Sequence, residues 1–262
     1  SDLLGEVGDG ACQSPHPDIQ PFDTDKAIQA ASIRTAFFGT NGSFSHRVLK
    51  GLAPKQMNLQ AIFCDASEPF HPSLGFDIHK LDPPPPPGPE SQEIRLHVSP
   101  NLRTSSIIDI GWQHEIPVYS VGRVGSKAVA ETLDSFNVDV VCVACFNKRI
   151  PPSLLSVPRL GFLNLHPSML PHYRGPEPIQ WILHDGAQGG VTIHWMDENF
   201  DTGDIAAQET VELKPPMSYF EAERICAERG AKLYLDVIAE LLKGNVPRQP
   251  QGAGGFYRGR LG

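Results

Sequence analysis

At 262 residues, 40% hydrophobic and 20% charged, the chain has the size and composition of one large soluble α/β domain with a small appendage. No apolar run approaches the ~20 residues of a membrane span, and the opening SDLLGEVGDG has neither the basic nor the apolar segment of a secretory leader. A net charge of −8 argues against a broad nucleic-acid surface, which needs clustered Lys and Arg, and five cysteines, an odd count, read as reduced and cytoplasmic.

Residues 1–32 mix Pro, Gly and Asp with little apolar periodicity and are expected to form an arm or tail. A first strand is expected over 33–38, and a helix over 43–52 with Phe44, Val48 and Leu52 at spacing four. The turn between them, Gly39, Thr40, Asn41 and Gly42, lacks the G-x-G-x-x-G spacing of a dinucleotide site and reads as a tight strand-to-helix connection. A second strand follows over 59–63. Residues 66–115 then break the alternation and read as an insertion. Pro83, Pro84, Pro85, Pro86 and Pro87 make part of it an extended, stiff surface linker.

A short strand over 117–121 and a helix over 126–136 lead to 138–146, whose nearly continuous apolar character marks a strand buried on both faces. Cys142 and Cys145 lie at spacing three on that strand. Their thiols face opposite sides, and both are expected in the core rather than in a shared metal site or disulfide. The turn of Asn147, Lys148, Arg149, Ile150 and Pro151 follows at the strand's carboxyl end, where open α/β sheets bind ligands.

The stretch 161–204 carries the chemistry. Its opening β run delivers Asn164 and His166 at spacing two, hence on one face. A Pro-, Tyr-, Arg- and Gly-containing loop, a helical pattern through Ile179, Ile182 and Leu183, and a second β run over 191–196 come next. Asp197, Glu198, Asn199, Phe200 and Asp201 form a loop crowded with carboxylates. An amide, an imidazole and a carboxylate from neighbouring strand ends suit acyl transfer. Ser168 raises the alternative of a Ser–His–Asp hydrolase, but it lacks a G-x-S-x-G elbow. None of the ten His forms H-x-x-x-H or H-E-x-x-H, so no metal is expected. Trp181 reads as core. A strand over 205–213 and a long amphipathic helix, or a broken pair, over 218–243 end at Gly244 and Asn245, before a Gly-rich tail, 246–262.

The ordered set N-L-H-P-S-M-L-P-H-Y-R-G, I-Q-W, G-V-T-I and F-D-T-G-D resembles the 10-formyltetrahydrofolate-dependent formyltransferases. It is most similar to methionyl-tRNA formyltransferase and the folate-hydrolase domain of formyltetrahydrofolate dehydrogenase. The glycinamide ribonucleotide and sugar enzymes resemble it more distantly. The likeness covers 32–245 and is dense over 138–213.

The resemblance implies a Rossmann-like open sheet of mostly parallel strands flanked by helices, with a catalytic domain over 33–245. It implies 10-formyltetrahydrofolate as formyl donor, an amine as acceptor and no metal. Asn164, His166 and Asp201 match the family's catalytic residues. Phe146, Asn147, Lys148, Arg149 and Ile150, with Asp197, Glu198, Asn199 and Phe200, match its pterin-contacting segments. Arg174 fits an element that shapes the site floor, and His194 contacts the acceptor, stabilises the adduct or is structural.

In the expected chemistry, imidazolium His166 and the Asn164 N–H stabilise the oxyanion of a tetrahedral adduct, and Asp201 keeps His166 charged. Water as acceptor would make the chain a formyltetrahydrofolate hydrolase, and loss of turnover a folate-binding module. Residues 67–89 carry one Lys, Lys80, and no Arg where the tRNA enzyme has a basic loop, and an OB-type domain is not expected in the residues left. The expected acceptor is therefore a small-molecule, sugar-nucleotide or carrier-bound amine rather than tRNA.

Overall fold

The computed structural model describes residues 33–52, 57–65, 75–85, 106–214 and 216–261. The 1–32 arm, Pro86 and Pro87, and most of the 66–115 insertion lie outside them.

In chain order the elements are β1 (Thr35–Gly39), α1 (Ser43–Gly51), β2 (Leu59–Asp65), β3 (Ile78–Leu81), α2 (Ile107–Gln113), β4 (Val118–Val121), α3 (Lys127–Ser135), β5 (Val140–Ala144), α4 (Pro152–Leu155), β6 (Gly161–His166), α5 (Pro178–Asp185), β7 (Gly189–Trp195), β8 (Ile205–Val211) and α6 (Tyr219–Leu242). One sheet runs β3-β4-β2-β1-β5-β6-β7-β8. Its five central strands pair in parallel; at one edge β3 pairs antiparallel with β4, and at the other β7 pairs antiparallel with both β6 and β8. The centre is the Rossmann-like arrangement expected. Strand order reverses between β1 and β5, so their carboxyl ends open the crevice in which such sheets place ligands.

Apolar periodicity explains the layers. VVCVA of β5 is buried throughout, as a strand covered on both faces requires. Alternate residues of β1 point opposite ways: Phe37 joins the core beneath α1, α2, α5 and α6, and Phe38 the core beneath α3 and α4. Phe38 stacks on Phe63 of β2 with ring centroids 4.5 Å apart. Side-chain caps start α3 at Ser126 and α6 at Ser218, each accepting a first-turn backbone N–H.

Helix α6 is continuous and lies unusually close to the sheet. At Gly230 a Cβ would collide with the Leu165 side chain, so only glycine permits that approach. One turn on, fully buried Tyr234 reaches the β5–β6 ladder. Its hydroxyl lies 2.6 Å from the Val143 carbonyl and 2.9 Å from that of Leu163, and accepts the Val143 N–H at 3.1 Å.

Beyond α6 the chain returns to the sheet. Gln249 exchanges two backbone hydrogen bonds with Ile205, at 2.8 and 2.9 Å, and Tyr257 bridges to Arg174.

Two readings need correction. Trp181 is not core: Ile179 and Ile182 take the buried face of α5, and helical rotation turns Trp181 outward. There the Arg258 guanidinium covers it at 4.4 Å, and its N–H donates to the Gly259 carbonyl. Cys145 does not share the core with buried Cys142. It lies one residue past β5 with φ 59°, exposed at the crevice. The insertion also holds regular structure, since β3 pairs with β4, and α2 begins with a reciprocal capping box between Ser106 and Asp109. Among the described residues no helix is long and apolar enough to cross a membrane.

Candidate active site

The antiparallel register of β6 and β7 places Asn164 directly opposite His194. The Asn164 Nδ2 lies 3.1 Å from His194 Nε2, and His194 Nδ1 lies 3.0 Å from the Trp195 carbonyl. A carbonyl only accepts, so Nδ1 carries a proton, and Nε2 meets one N–H of the Asn164 amide. The second N–H of that amide is left for whatever enters the crevice. His194, 2% exposed, thus orients Asn164.

His166 ends β6, two residues on and on the same face. Its Nε2 donates to the Tyr173 carbonyl at 2.8 Å, and its Nδ1 faces Asp201. Asp201 Oδ1 lies 3.5 Å from His166 Nδ1 and 3.6 Å from His194 Nε2, too far for good hydrogen bonds to either. The open triangle would close when a proton or a reactant arrives. The other oxygen, Oδ2, accepts the Gly175 N–H at 2.9 Å. Asp201 has φ 57°, a left-handed conformation that costs a non-glycine residue of order 1 kcal/mol.

Electrostatics bear on one expectation. Burial pulls the His166 imidazole below its ordinary value, and the opposing push from Asp201 is not enough to restore it. Burial therefore weighs against the imidazolium expected, and Asp201 weighs for it. For Asp201, burial works upward, but attraction to His166 in its protonated form, the contact with His194 and the Gly175 N–H outweigh it and hold the carboxyl below the usual carboxylate range.

Two cavities meet here. The smaller, about 80 Å³, is lined by Phe146, Lys148, Arg149, Ile150, Asp197, Asn199 and Phe200 beside Asn164, His194 and Asp201. Its rim is tied by Arg149, whose Nε and Nη2 donate to the Glu198 carbonyl at 3.0 and 2.5 Å. Lys148 reaches back to Asp65 at 2.7 Å. The larger, about 470 Å³, includes Asn147, Asn164, His166 and Asp201 in its walls. Sequence reasoning missed its other walls: Thr40, Ser43, Cys145, Glu177, Tyr219, Glu223, Tyr257 and Arg260. No motif joins these residues, although the β1–α1 turn was visible as a turn at a strand's carboxyl end. A separate cavity of about 260 Å³ beside Leu133, Asn137 and Arg159 lies at the opposite, amino end of β5.

Ser168 is fully buried, and its hydroxyl donates to the His172 carbonyl at 2.7 Å, a loop bond rather than a nucleophile's position. Arg174 Nε donates to the Asp201 carbonyl at 3.0 Å, so it shapes the floor through that turn. Among the described residues no group of three or more His, Cys, Asp or Glu is placed to hold a metal ion.

An open α/β sheet with an amide, two imidazoles and a carboxylate between two cavities defines a group-transfer type of site. The family signature described as formyl transferase matches residues 100–238, more than half of the chain, and the chain belongs to that family. A methionyl-tRNA formyltransferase of Synechococcus sp. is 38% identical over 140 residues, covering 53% of this chain and 44% of the relative. The chain thus spans less than half the length of that curated relative.

Solved structures share the fold. Phosphoribosylglycinamide formyltransferase of Streptococcus pneumoniae superposes with a TM-score of 0.57 at 22% identity, covering 79% of this chain and 98% of that one. A formyltransferase of Anoxybacillus kamchatkensis, in complex with UDP-4,6-dideoxy-4-formamido-L-AltNAc and tetrahydrofolate, gives 0.51 at 18% identity, covering 86% and 85%.

Proposed function

We propose that this chain moves a formyl group from 10-formyltetrahydrofolate to an amine. One observation carries the reading: Asn164 and Asp201 belong to the walls of both cavities, so reactants lodged on the two sides meet at one amide N–H and one carboxylate. The smaller cavity has the chemistry for a flat heterocycle, with Phe146, Ile150 and Phe200 for its faces and Lys148, Arg149, Asp197 and Asn199 for its polar edge. The tetrahydrofolate bound to the Anoxybacillus enzyme supports a folate donor.

Asn164 and His166 then divide the work. As the amine attacks the formyl carbon, the free Asn164 N–H donates to the developing oxyanion. Neutral His166 accepts the amine's proton at Nδ1, and the imidazolium formed is stabilised by Asp201. When the bond from the formyl carbon to N10 breaks, His166 returns a proton to N10. The proposed role of His166 is therefore proton carrier. The proposed catalytic domain is 33–245, with 246–261 docked against it.

The acceptor side carries Glu177 and Glu223 besides Asp201, with Arg260 as its basic residue, a lining that favours a small amine over a polyphosphate backbone. Methionyl-tRNA is the second reading, favoured by the name of the Synechococcus relative. A screen would present methionyl-tRNA and a panel of small amines with 10-formyltetrahydrofolate, following tetrahydrofolate release and product mass. Formylated small amine is the expected product. Efficient formylation of methionyl-tRNA would replace the acceptor, and formate without formylated product would make the chain a hydrolase. Calorimetry with 5-formyltetrahydrofolate tests the donor, and absence of binding would end the folate reading.

A further inference from the structure

Asp201 is held in its left-handed conformation from outside its own loop. Gln251, 50 residues downstream, donates its amide N–H groups to the Asp201 carbonyl at 2.9 Å and the Gly203 carbonyl at 2.8 Å. Arg174 Nε donates to the same Asp201 carbonyl, and its Nη2 donates to Gln251 Oε1 at 2.6 Å. Arg174, Gln251 and the turn 201–203 thereby form a closed ring. Gly203 completes it by necessity, since a Cβ there would collide with the Trp195 carbonyl and the turn is pressed against β7.

The side chain at 251 needs a particular chemistry. It must present two donors to two carbonyls and one acceptor to a guanidinium, all in one plane, and a carboxamide does this. The strip next to it acts on the same residue, because the Gly175 N–H holds Oδ2 while the ring holds the backbone. The segment carrying Gln251 is itself anchored to Ile205 on one side and to Arg174 on the other.

We infer that Gln251 is a positioning residue for Asp201, fixing the turn that aims Oδ1 at His166 and His194, so that the site is completed by a residue beyond the span matched to the family. The effect on turnover rests on the formyl-transfer reading; the geometric claim does not.

The test uses the full chain and two readouts. Hydrogen exchange at the Gly175 amide reports whether Asp201 Oδ2 stays in place. Gln251→Glu keeps length and the Arg174 contact but sets oxygen against two carbonyls; Gln251→Ala removes the clamp. Each is expected to speed Gly175 exchange by about 10-fold, the loss of one hydrogen bond, with β5 amides unchanged. Turnover should fall about 10–100-fold in either variant, whereas Gln251→Ala added to Asp201→Asn should change it less than about twofold, because the two act as a unit.

Arg258→Ala loosens the same segment at Trp181 and Asp185 without touching Asp201, and should leave Gly175 exchange within about threefold. Unchanged Gly175 exchange in both Gln251 variants would overturn the inference. So would full additivity with Asp201→Asn, or an Arg258→Ala effect equal to that of Gln251→Ala, which would make the segment a mere tether. If no variant and no wild-type chain turns over, the proposed reaction fails while the exchange result still decides the role of Gln251.

Discussion

The smaller cavity takes most of its lining from two short stretches, 146–150 and 196–201, each a loop at a strand's carboxyl end. The larger one is assembled from the β1–α1 turn, the ends of β5 and β6, the stretch 175–179, Phe200 and Asp201, the start of α6 and the C-terminal segment. A wall made of contiguous residues is fixed by local backbone geometry and survives changes elsewhere. A wall made of seven segments depends on how those segments pack, so single substitutions can reshape it. On the proposed reading, the contrast suits the shared donor to the first cavity and the individual acceptor to the second.

The largest expected effect comes where the two cavities share a wall. Asp201→Asn is nearly isosteric, so affinity for 5-formyltetrahydrofolate should persist while turnover at saturation falls ~10²–10⁴-fold. His166→Asn should be similarly slow and the double variant little worse. Retention of most wild-type turnover by Asp201→Asn would remove the carboxylate from the mechanism.

Next is the junction's support. Tyr234→Phe deletes the hydroxyl between β5 and β6 and leaves Val143 and Leu163 groups without their partner. A loss of about 1–3 kcal/mol in unfolding free energy is expected by denaturant titration. A variant as stable as wild type would mean that the ladder closes on itself without the hydroxyl.

The comparison itself is tested by a pair of variants. Arg149→Ala releases the Glu198 carbonyl at the rim of the smaller cavity and should weaken 5-formyltetrahydrofolate binding by up to about 10-fold. Glu223→Gln alters the larger cavity alone. It should shift the acceptor KM by a similar factor and leave folate affinity within about twofold. Equal effects of both variants on folate binding would erase the division.

The smallest effect is on pH dependence. An imidazole lowered by burial means that, as pH falls through the ordinary value of 6.5, the unfolded chain binds a proton before the folded one. Stability associated with His166 is thus complete above pH 6.5 and lost progressively below it. Asp201, also depressed, adds a loss in the same direction below its ordinary 3.8. For turnover, neutral His166 as proton carrier places the acid limb below pH 6.5. A rate that instead falls as pH rises past 6.5 would restore the imidazolium role.

How much of this could be read from residues alone varies with the range of the interaction. The runs in β1, β2, β5 and β6 were plain because burial on both faces leaves an apolar signature. Spacing two put Asn164 and His166 on one face. Four-residue β3, half polar at an edge, left no such trace, whereas α2 had a usable signal in Ser106 and Asp109 at capping-box spacing. The Asn164–His194 pair depends on strand register, and Gln251 on a contact across 50 residues, so neither has a local sign. The charge of His166 was not legible because spacing reveals a neighbouring carboxylate but not the depth of burial.

Helix α6 has a mechanical consequence. From Tyr219 to Tyr234 it advances roughly 22 Å as one continuous element. Near one end it carries Tyr219 and Glu223 of the larger cavity, and farther along Gly230 and Tyr234, seated on the strand that bears Asn164. The helix is a strut between the wall of the larger cavity and the strand that bears Asn164, on the proposed reading the acceptor wall and the reacting amide. The cavity cannot widen by tilting α6 without also moving β6, so room for a larger acceptor has to come from the loop 175–179 or the C-terminal segment. Gly230→Ala would pry the strut off Leu165 and displace Glu223 and Asn164 together.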